Sequence, residues 1–250
     1  MTFNQLALAI IGTTASKKLD RLSIFSLFWS MAKVSLSEAV KNSEQYRIRV
    51  FKNDFLEKLS YVHPIVPLIV YAPIVAYCTY NALYLKNISV LSFAMYFLLG
   101  IVIWTLAEYF LHRFVFHPPQ TNAFFRWLYF YAHGIHHEAM NDATRLVLPP
   151  GLSLPLAYLF FLLYEAVFPG MYMAVFTGFM VGYLIYDYLH FASHFYALPY
   201  QWFKAIKKNH MRHHNVDHHK NFGFTSPLFD IIFGTYLKIE SKEKQPVNPS

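Results

Sequence analysis

Four long apolar stretches alternate with polar segments along the chain, and this pattern predicts its architecture. A helix needs about 20 apolar residues to cross the ~30 Å hydrocarbon core of a bilayer. The pattern therefore predicts membrane spans at about 64–85, 90–112, 152–168 and 170–190. Because only residues 168–170 separate the last two stretches, we expect them to form a tight antiparallel pair. Buried helices of a soluble protein are the alternative interpretation.

The polar segments predict an N-terminal region, a cap and a tail around these spans. Residues 1–20 lack the basic start and the long apolar run of a cleavable signal. The spaced apolar and charged positions of residues 14–60 favour a cytosolic or surface-lying helix, with a flexible lead-in as the alternative. We expect one domain over 61–237, with a cytosolic helical cap made of 113–150 and 191–237, and a tail over 238–250. The predicted fold is an all-α membrane protein with four transmembrane helices.

Composition and charge agree with a membrane protein. Only 14% of the residues are charged, against about 25% in an ordinary soluble domain, and 56% are hydrophobic. The single cysteine, Cys78, excludes an internal disulfide and a cysteine-based metal site. The net charge of +7 does not come from a basic patch interleaved with aromatic residues, so we expect no nucleic-acid partner.

The distribution of Lys and Arg predicts the orientation in the membrane. Of the 21 Lys and Arg residues, nine lie in 1–60, three in 113–150 and eight in 191–250. Four spans with both termini in the cytosol place twenty of the 21 on the cytosolic side, as the positive-inside rule requires. The predicted location is the endoplasmic reticulum in a eukaryote or the inner (cell) membrane in a bacterium.

Histidines cluster on that same side. Ten candidate ligands form four groups: His112 and His117; His133, His136 and His137; His190 and His194; His210, His213 and His214. Two groups repeat the pattern H-x-x-H-H, and residues at i, i+3 and i+4 share one face of a helix. Imidazole suits iron, zinc, copper and nickel, and ten imidazoles are enough for two ions. We expect no catalytic role for a lone residue such as His63. The pair His112 and His117 would by itself be weak evidence for a metal site.

Three classes of histidine-rich membrane protein fit this pattern. A di-zinc hydrolase would activate water, but such sites often use carboxylates, and few lie near these histidines. A metal transporter would need ionisable residues along a path within the spans, which hold almost none. Two irons in an imidazole shell favour oxygen activation, in which the metal supplies the difficult chemistry and a donor supplies two electrons.

The motifs "HRFVFH", "HGIHH", "YDYLHFASH", "HMRHH" and "NFGFTSPLFDIIFGT" resemble those of the integral-membrane fatty acid hydroxylases. The resemblance covers about residues 47–237, and the sequence "RLVLPP" is similar to the fatty acid 2-hydroxylase (sphingolipid alpha-hydroxylase) branch. It implies four transmembrane helices capped by a cytosolic helical domain with a dinuclear histidine site. The implied reaction is O₂-dependent hydroxylation at C2 of long-chain fatty acyl groups, free or in ceramide. A sterol or carotenoid hydroxylase or desaturase of the same superfamily is the alternative.

The resemblance also implies roles for individual residues. All ten candidate histidines match its ligands, with two iron ions as the working metal, although zinc can occupy such sites in isolated protein. Tyr186 and Asp187 match a pair near the metal site, and we expect Asp187 to accept a hydrogen bond from a ligand imidazole. Apart from the resemblance, the position of Asn141, Asp142 and Arg145 after the second histidine group leads us to expect that they position a loop or the substrate. His218 lies outside the motif, but it follows His214 by four positions, so we expect it to face the site.

One departure from the resemblance concerns the electron supply. Eukaryotic members often carry a cytochrome b5 domain with an "HPGG" motif, whereas this sequence has "HPIV" at His63. We therefore expect electrons from a separate donor, such as cytochrome b5 or a ferredoxin with its reductase.

Overall fold

The computed structural model describes residues 35–238, and helices joined by short loops build this part of the chain. The helices are α1 (Leu36–Ser43), α2 (Asp54–Leu59), α3 (Val66–Tyr80), α4 (Val90–Phe110), α5 (Ala123–Tyr129), α6 (Ile135–Glu138), α7 (Pro150–Val167), α8 (Tyr172–Phe195), α9 (Gln201–Asn215) and α10 (Leu228–Ile232). Turns of π-helix extend three of them: Asn81–Leu85 after α3, Leu111–Phe116 after α4 and Phe130–Gly134 after α5. Two 3-10 turns lie at Glu44–Tyr46 and Ala143–Arg145. The predicted start of the N-terminal region and the predicted tail lie outside the described residues.

Three of the helical stretches are long and apolar enough to cross a membrane, by length and composition. They are Val66–Leu85, Val90–Phe116 and Ala143–Val167. The predicted spans at 64–85, 90–112 and 152–168 coincide with them. The fourth predicted span, 170–190, is also helical but is not among these three.

Helix α8, which contains that fourth stretch, is the central helix of the bundle. It packs most extensively on α4 and also contacts α3 and α7. Its polar positions, such as Thr177 and Asp187, are buried by these neighbours. The outer surfaces of the surrounding helices face away from α8. Apolar side chains on these surfaces, such as Leu91 and Leu159, are exposed. Burial at the centre is consistent with the mixed apolar and polar character of α8.

Glycines allow α4 and α8 to approach closely. A Cβ atom at Gly178 would overlap the carbonyl oxygen of Phe97, and one at Gly100 would overlap the carbonyl oxygen of Val175. A side chain at either position would push the two backbones apart. This contact therefore fixes how α4 and α8 run beside each other, and both helices carry histidines at their carboxyl ends.

The segment before the first long helix differs from the predicted surface-lying helix. In its described part, two short helices flank an extended stretch at 47–52. Asn53 caps α2 by accepting hydrogen bonds from two backbone N–H groups. The carboxylate of Glu57 accepts hydrogen bonds from the backbone N–H groups of Val50 and Phe51, at 3.0 and 2.8 Å. The Glu57 carboxylate thus folds the extended stretch back onto α2.

Candidate metal centre

The ten predicted ligand histidines converge in two groups of five where the carboxyl ends of α4 and α8 meet α6 and α9. The first group is His112, His117, His133, His137 and His213, and the second group is His136, His190, His194, His210 and His214. Within each group, one ring nitrogen per histidine lies within 4.8 Å of the corresponding nitrogens of the others. Four of the five in each group are buried.

Each H-x-x-H-H motif contributes to both groups. His133 and His137 belong to the first group, whereas His136 belongs to the second. In the other motif the assignment is reversed, because His213 joins the first group while the other two histidines join the second. The prediction that each motif presents three imidazoles to one side was therefore too simple. The i and i+4 positions point to one group and the i+3 position points to the other, which ties the two groups together.

A π-helical turn explains the unusual spacing of His112 and His117. These residues are five positions apart, a separation that places them on different faces of a regular α-helix. In Leu111–Phe116 the backbone N–H of His117 donates to the carbonyl of His112 at 3.0 Å, which is the i to i+5 bond of a π-helix. The wider turn brings both imidazoles into the first group. The spacing of five was the only sign of this turn in the sequence.

Backbone carbonyls determine the tautomer of three of the histidines. The Nδ1–H groups of His112, His190 and His213 donate to carbonyl oxygens at 2.6, 3.2 and 2.7 Å. With the proton on Nδ1, the lone pair of Nε2 points into the group. The accepting carbonyls belong to Phe222, Leu146 and Lys220 respectively. Such hydrogen bonds also fix the ring orientation of metal-ligating histidines.

The chemistry of the inward-facing nitrogens fits bound cations. Burial lowers the pKa of His133, His136 and His210 well below the usual value, so these rings are neutral. The Nε2 atoms of His194 and His210 lie 2.9 Å apart, and those of His136 and His214 lie 3.1 Å apart. A neutral imidazole nitrogen carries either one proton or one lone pair, so five converging nitrogens cannot all satisfy one another. A metal ion held by these histidines would accept their inward-facing lone pairs, which fits the predicted metal site.

Two buried carboxylates hold the loop that orients His112. Asp230 accepts hydrogen bonds from the backbone N–H groups of Phe222 and Gly223, at 2.8 and 2.7 Å. Glu108 accepts from two further N–H groups of the same loop, at 2.5 and 2.8 Å. Neither carboxylate was predicted as a site residue from the sequence. The only signal was an isolated acidic residue within an apolar run, in "TLAEYF" and "PLFDIIF".

Tyr186 and Asp187 lie beside the second group in different ways. The ring of Tyr186 stacks on His190, with centroids 5.7 Å apart and planes within 9°. Asp187 is only 2% exposed, and in residues 35–238 its carboxylate makes no hydrogen bond to an imidazole. This differs from the predicted role, because the Nδ1–H of His190 donates to a backbone carbonyl instead. Both residues line the cavity described below.

The polar residues after the second motif hold the N-terminal segment. Arg145 donates to the carbonyl of Ile48 and to the carboxylate of Glu57, both at 2.9 Å, and to the carbonyl of Ser60 at 3.1 Å. Asp142 accepts from the backbone N–H of Thr144 and lies 3.5 Å from the Arg145 guanidinium. These contacts tie the loop after the second motif to the N-terminal segment.

The remaining predicted polar residue and the other histidines lie at the edge of the site. Asn141 is exposed. His218 is exposed, and its ring centroid lies 4.7 Å from that of His137, so it contacts the first group from the solvent side. His63 accepts a hydrogen bond from the backbone N–H of Ile65, which gives it a local structural role.

An apolar cavity of about 460 Å³ reaches both histidine groups. Its walls include His133 of the first group and His136 and His190 of the second. Apolar side chains from α4, α7 and α8 form its inner part, the loop Leu146–Pro149 and aromatic residues such as Trp127 add further walls, and α2 and Arg145 close one side. The shape and chemistry of this space suit a long hydrocarbon chain that ends beside the histidines.

A protein-family model matches just over half of the chain. The model described as "Fatty acid hydroxylase" matches residues 97–235, which include all ten histidines of the two groups. The chain belongs to the fatty acid hydroxylase family. The resemblance seen in the histidine motifs is thereby confirmed.

Relatives in this family are named as hydroxylases of fatty acids and ceramides. The chain is 38% identical to the ceramide very long chain fatty acid hydroxylase SCS7 of Saccharomyces cerevisiae, over 74% of this chain and 48% of the yeast protein. It is 35% identical to the dihydroceramide fatty acyl 2-hydroxylase FAH1 of Arabidopsis thaliana, over 79% of this chain and 83% of the plant protein. The human fatty acid 2-hydroxylase is 33% identical, over 75% of this chain and 56% of the human one. The chain thus spans about half the length of the yeast and human relatives.

A solved structure has a similar fold. The structure described as full-length scs7p, with only the hydroxylase domain visible, matches with a TM-score of 0.69 and 39% sequence identity. The match covers 76% of this chain and 72% of the solved one. The arrangement of the helices is therefore shared with an experimentally determined hydroxylase domain.

Proposed function

We propose that this chain is a membrane-bound, metal-dependent oxidoreductase that hydroxylates long-chain fatty acyl groups at C2, either free or within ceramide. The cavity carries this proposal, because its walls join an apolar channel to histidines of both groups. A hydrocarbon chain in this cavity would present a C–H bond beside both metal positions. The position C2 is supported by the names of the plant and human relatives, which are 2-hydroxylases.

Each group of five histidines would hold one ion, for which we propose iron. When bound, iron would supply the activation of O₂, and the same imidazole shell also accepts zinc. The protein contributes orientation. His112, His190 and His213 keep their Nε2 lone pairs inward because backbone carbonyls hold the opposite ring nitrogen. The apolar wall formed by the Tyr186 ring, which stacks on His190, would exclude water from the reacting carbon.

The proposal also includes Arg145, for which the sequence predicts a role in positioning a loop or the substrate. Its guanidinium lines the cavity while it is held by Glu57 and the carbonyls of the N-terminal segment. It would place one positive charge at the side of the cavity that α2 closes. A carboxylate or a polar headgroup entering there would meet this charge.

The topology belongs to the proposal as well. We count α8 as a fourth span beside the three apolar helical stretches, with both termini in the cytosol and the histidines at the cytosolic surface. The distribution of Lys and Arg supports this orientation. Residues 61–237 would form the hydroxylase domain, in the endoplasmic reticulum of a eukaryote or the inner membrane of a bacterium.

Hydroxylation consumes two electrons, for which we propose a separate donor. Cytochrome b5, or a ferredoxin with its reductase, would have the required chemistry. Such a donor would approach from the solvent side, where His137 and His194 are only half-buried and His218 is exposed.

Isotope labelling tests the proposal directly. The chain would be expressed in a host that makes no 2-hydroxy lipids, with a donor system and labelled O₂, and acyl groups would be analysed by mass spectrometry. We expect one labelled oxygen at C2 with the wild-type chain and none with His136→Ala. Oxygenated sterols or carotenoids, without 2-hydroxy acyl groups, would favour the alternative within the superfamily. Absence of any oxygenated lipid from a metal-loaded protein would refute the proposal.

A further inference from the structure

The inner end of the cavity is a wall of three aromatic side chains. Trp104 on α4, Phe160 on α7 and Phe179 on α8 are the lining residues farthest along their helices from the histidines. The ring centroid of Phe179 lies 5.1 Å from that of Trp104 and 4.6 Å from that of Phe160. Three walls of the cavity therefore close at one point, and the Phe179 ring is at its centre.

The backbone holds the Phe179 ring in place. Its side chain is 2% exposed, and the ring of Tyr164 packs behind it with centroids 5.3 Å apart. The backbone of α8 is pressed against α4 here, since a Cβ at Gly100 would lie 2.7 Å from the Phe179 nitrogen. Well-packed interiors transmit strain and resist the displacement of a large ring. The ring is thus a rigid stop that a substrate cannot easily displace.

We propose that Phe179 sets the length of acyl chain that the cavity accepts, an inference that rests on the function proposed above. His190 and Phe179 both line the cavity from α8, eleven positions apart, so they are separated by roughly 16 Å along the helix axis. Carbon–carbon bonds of about 1.5 Å with angles of about 111° advance an extended chain by about 1.25 Å per bond. With C2 level with His190, about 13 bonds reach the stop, which corresponds to a chain close to palmitoyl.

The acyl chain length inferred for this protein differs from the one that the name of the yeast relative states. The yeast relative is named for very long chains. A lignoceroyl chain needs space well beyond the Phe179 ring, and the lining residues of α4, α7 and α8 end there. The structure therefore assigns this protein to shorter acyl groups.

A competition among acyl chains tests the role of Phe179. Saturated chains from myristoyl to lignoceroyl would be supplied together to the full chain with its donor, and the 2-hydroxy products would be compared by length. Phe179→Ala opens about one further helical turn, so we expect the preferred length to increase by about four carbons. Phe176→Ala is the matched control, because Phe176 is 4% exposed on the same helix but does not line the cavity. We expect this control to keep the wild-type preference.

A second variant shifts the preference in the opposite direction. Ala157 lines the cavity on α7, three positions nearer the histidine end than Phe160. Ala157→Leu should therefore favour chains shorter than palmitoyl, whereas a merely structural defect would lower all products together. If Phe179→Ala folds and keeps the wild-type preference, or if Ala157→Leu keeps it, the inference is wrong while the proposed function stands. If the wild-type chain forms no 2-hydroxy acyl group at all, the proposed function itself has failed.

Discussion

Replacing Asp230 by Asn should loosen the loop that orients His112. One carboxylate oxygen of Asp230 accepts hydrogen bonds from the Phe222 N–H at 2.8 Å and the Thr235 hydroxyl at 2.7 Å. The other oxygen accepts from the Gly223 N–H at 2.7 Å. The amide of Asn can reproduce one oxygen only, so its NH₂ group would face the Gly223 N–H. Losing one hydrogen bond to a charged group and leaving a buried donor unpaired costs about 2–3 kcal/mol.

Two measurements follow for purified Asp230→Asn protein. The midpoint of thermal unfolding should fall by roughly 5–10 °C. Metal retention after dialysis against a chelator should also fall, by roughly 10-fold or more in affinity at the first group, because the Phe222 carbonyl no longer fixes His112. Asp217→Asn is the control, since Asp217 makes only an exposed hydrogen bond to the His219 N–H. If Asp230→Asn unfolds and releases metal like this control, the carboxylate does not support the site.

Two further predictions concern the helix contact and the N-terminal segment. Gly178→Ala should destabilise the folded protein by about 2–3 kcal/mol because its Cβ overlaps the Phe97 carbonyl, whereas Gly151→Ala, which meets no atom within 4 Å, should leave the melting temperature unchanged. Arg145→Gln should speed proteolysis within residues 44–62, since four acceptor atoms on three residues of that segment lose their donor; equal rates would contradict this. Burial raises the pKa of Glu57, but backbone hydrogen bonds and Arg145 outweigh it and lower the pKa overall. Protection of the segment should therefore hold at neutral pH and be lost on acidification through that lowered pKa, and Glu57→Gln should abolish the pH dependence.

The ten histidines predicted as ligands lie together in the structure, but the sequence did not show how they divide into two groups. Helical periodicity predicts that His133, His136 and His137 share one broad face, whereas in the structure they belong to two neighbouring groups. The two groups are adjacent, with the ring centroids of His137 and His214 4.1 Å apart, so spacing alone cannot assign a histidine to one of them. His112 and His117 reach the same group only through a π-helical turn. That turn depends on packing at the end of α4, and the sequence carries no strong local signal for it.

The supporting carboxylates were missed for a different reason. Glu108 and the loop that it holds are separated by more than 110 positions in the chain. Their pairing exists only after α4 and the C-terminal segment have packed together. The apolar pattern located the long helices well, because each must bury or embed a continuous apolar surface. It could not show that α8 lies at the centre, since burial by other helices and burial by lipid select similar side chains.

Metal analysis of two double variants tests the central claim of two separate histidine-held ions. His133→Ala/His137→Ala removes the i, i+4 pair of the first group, and His210→Ala/His214→Ala removes that of the second. We expect two ions per wild-type chain, about one in each double variant, and no 2-hydroxy acyl product from either variant. One ion in the wild-type chain, or loss of both ions from one variant with full retention in the other, would contradict the account.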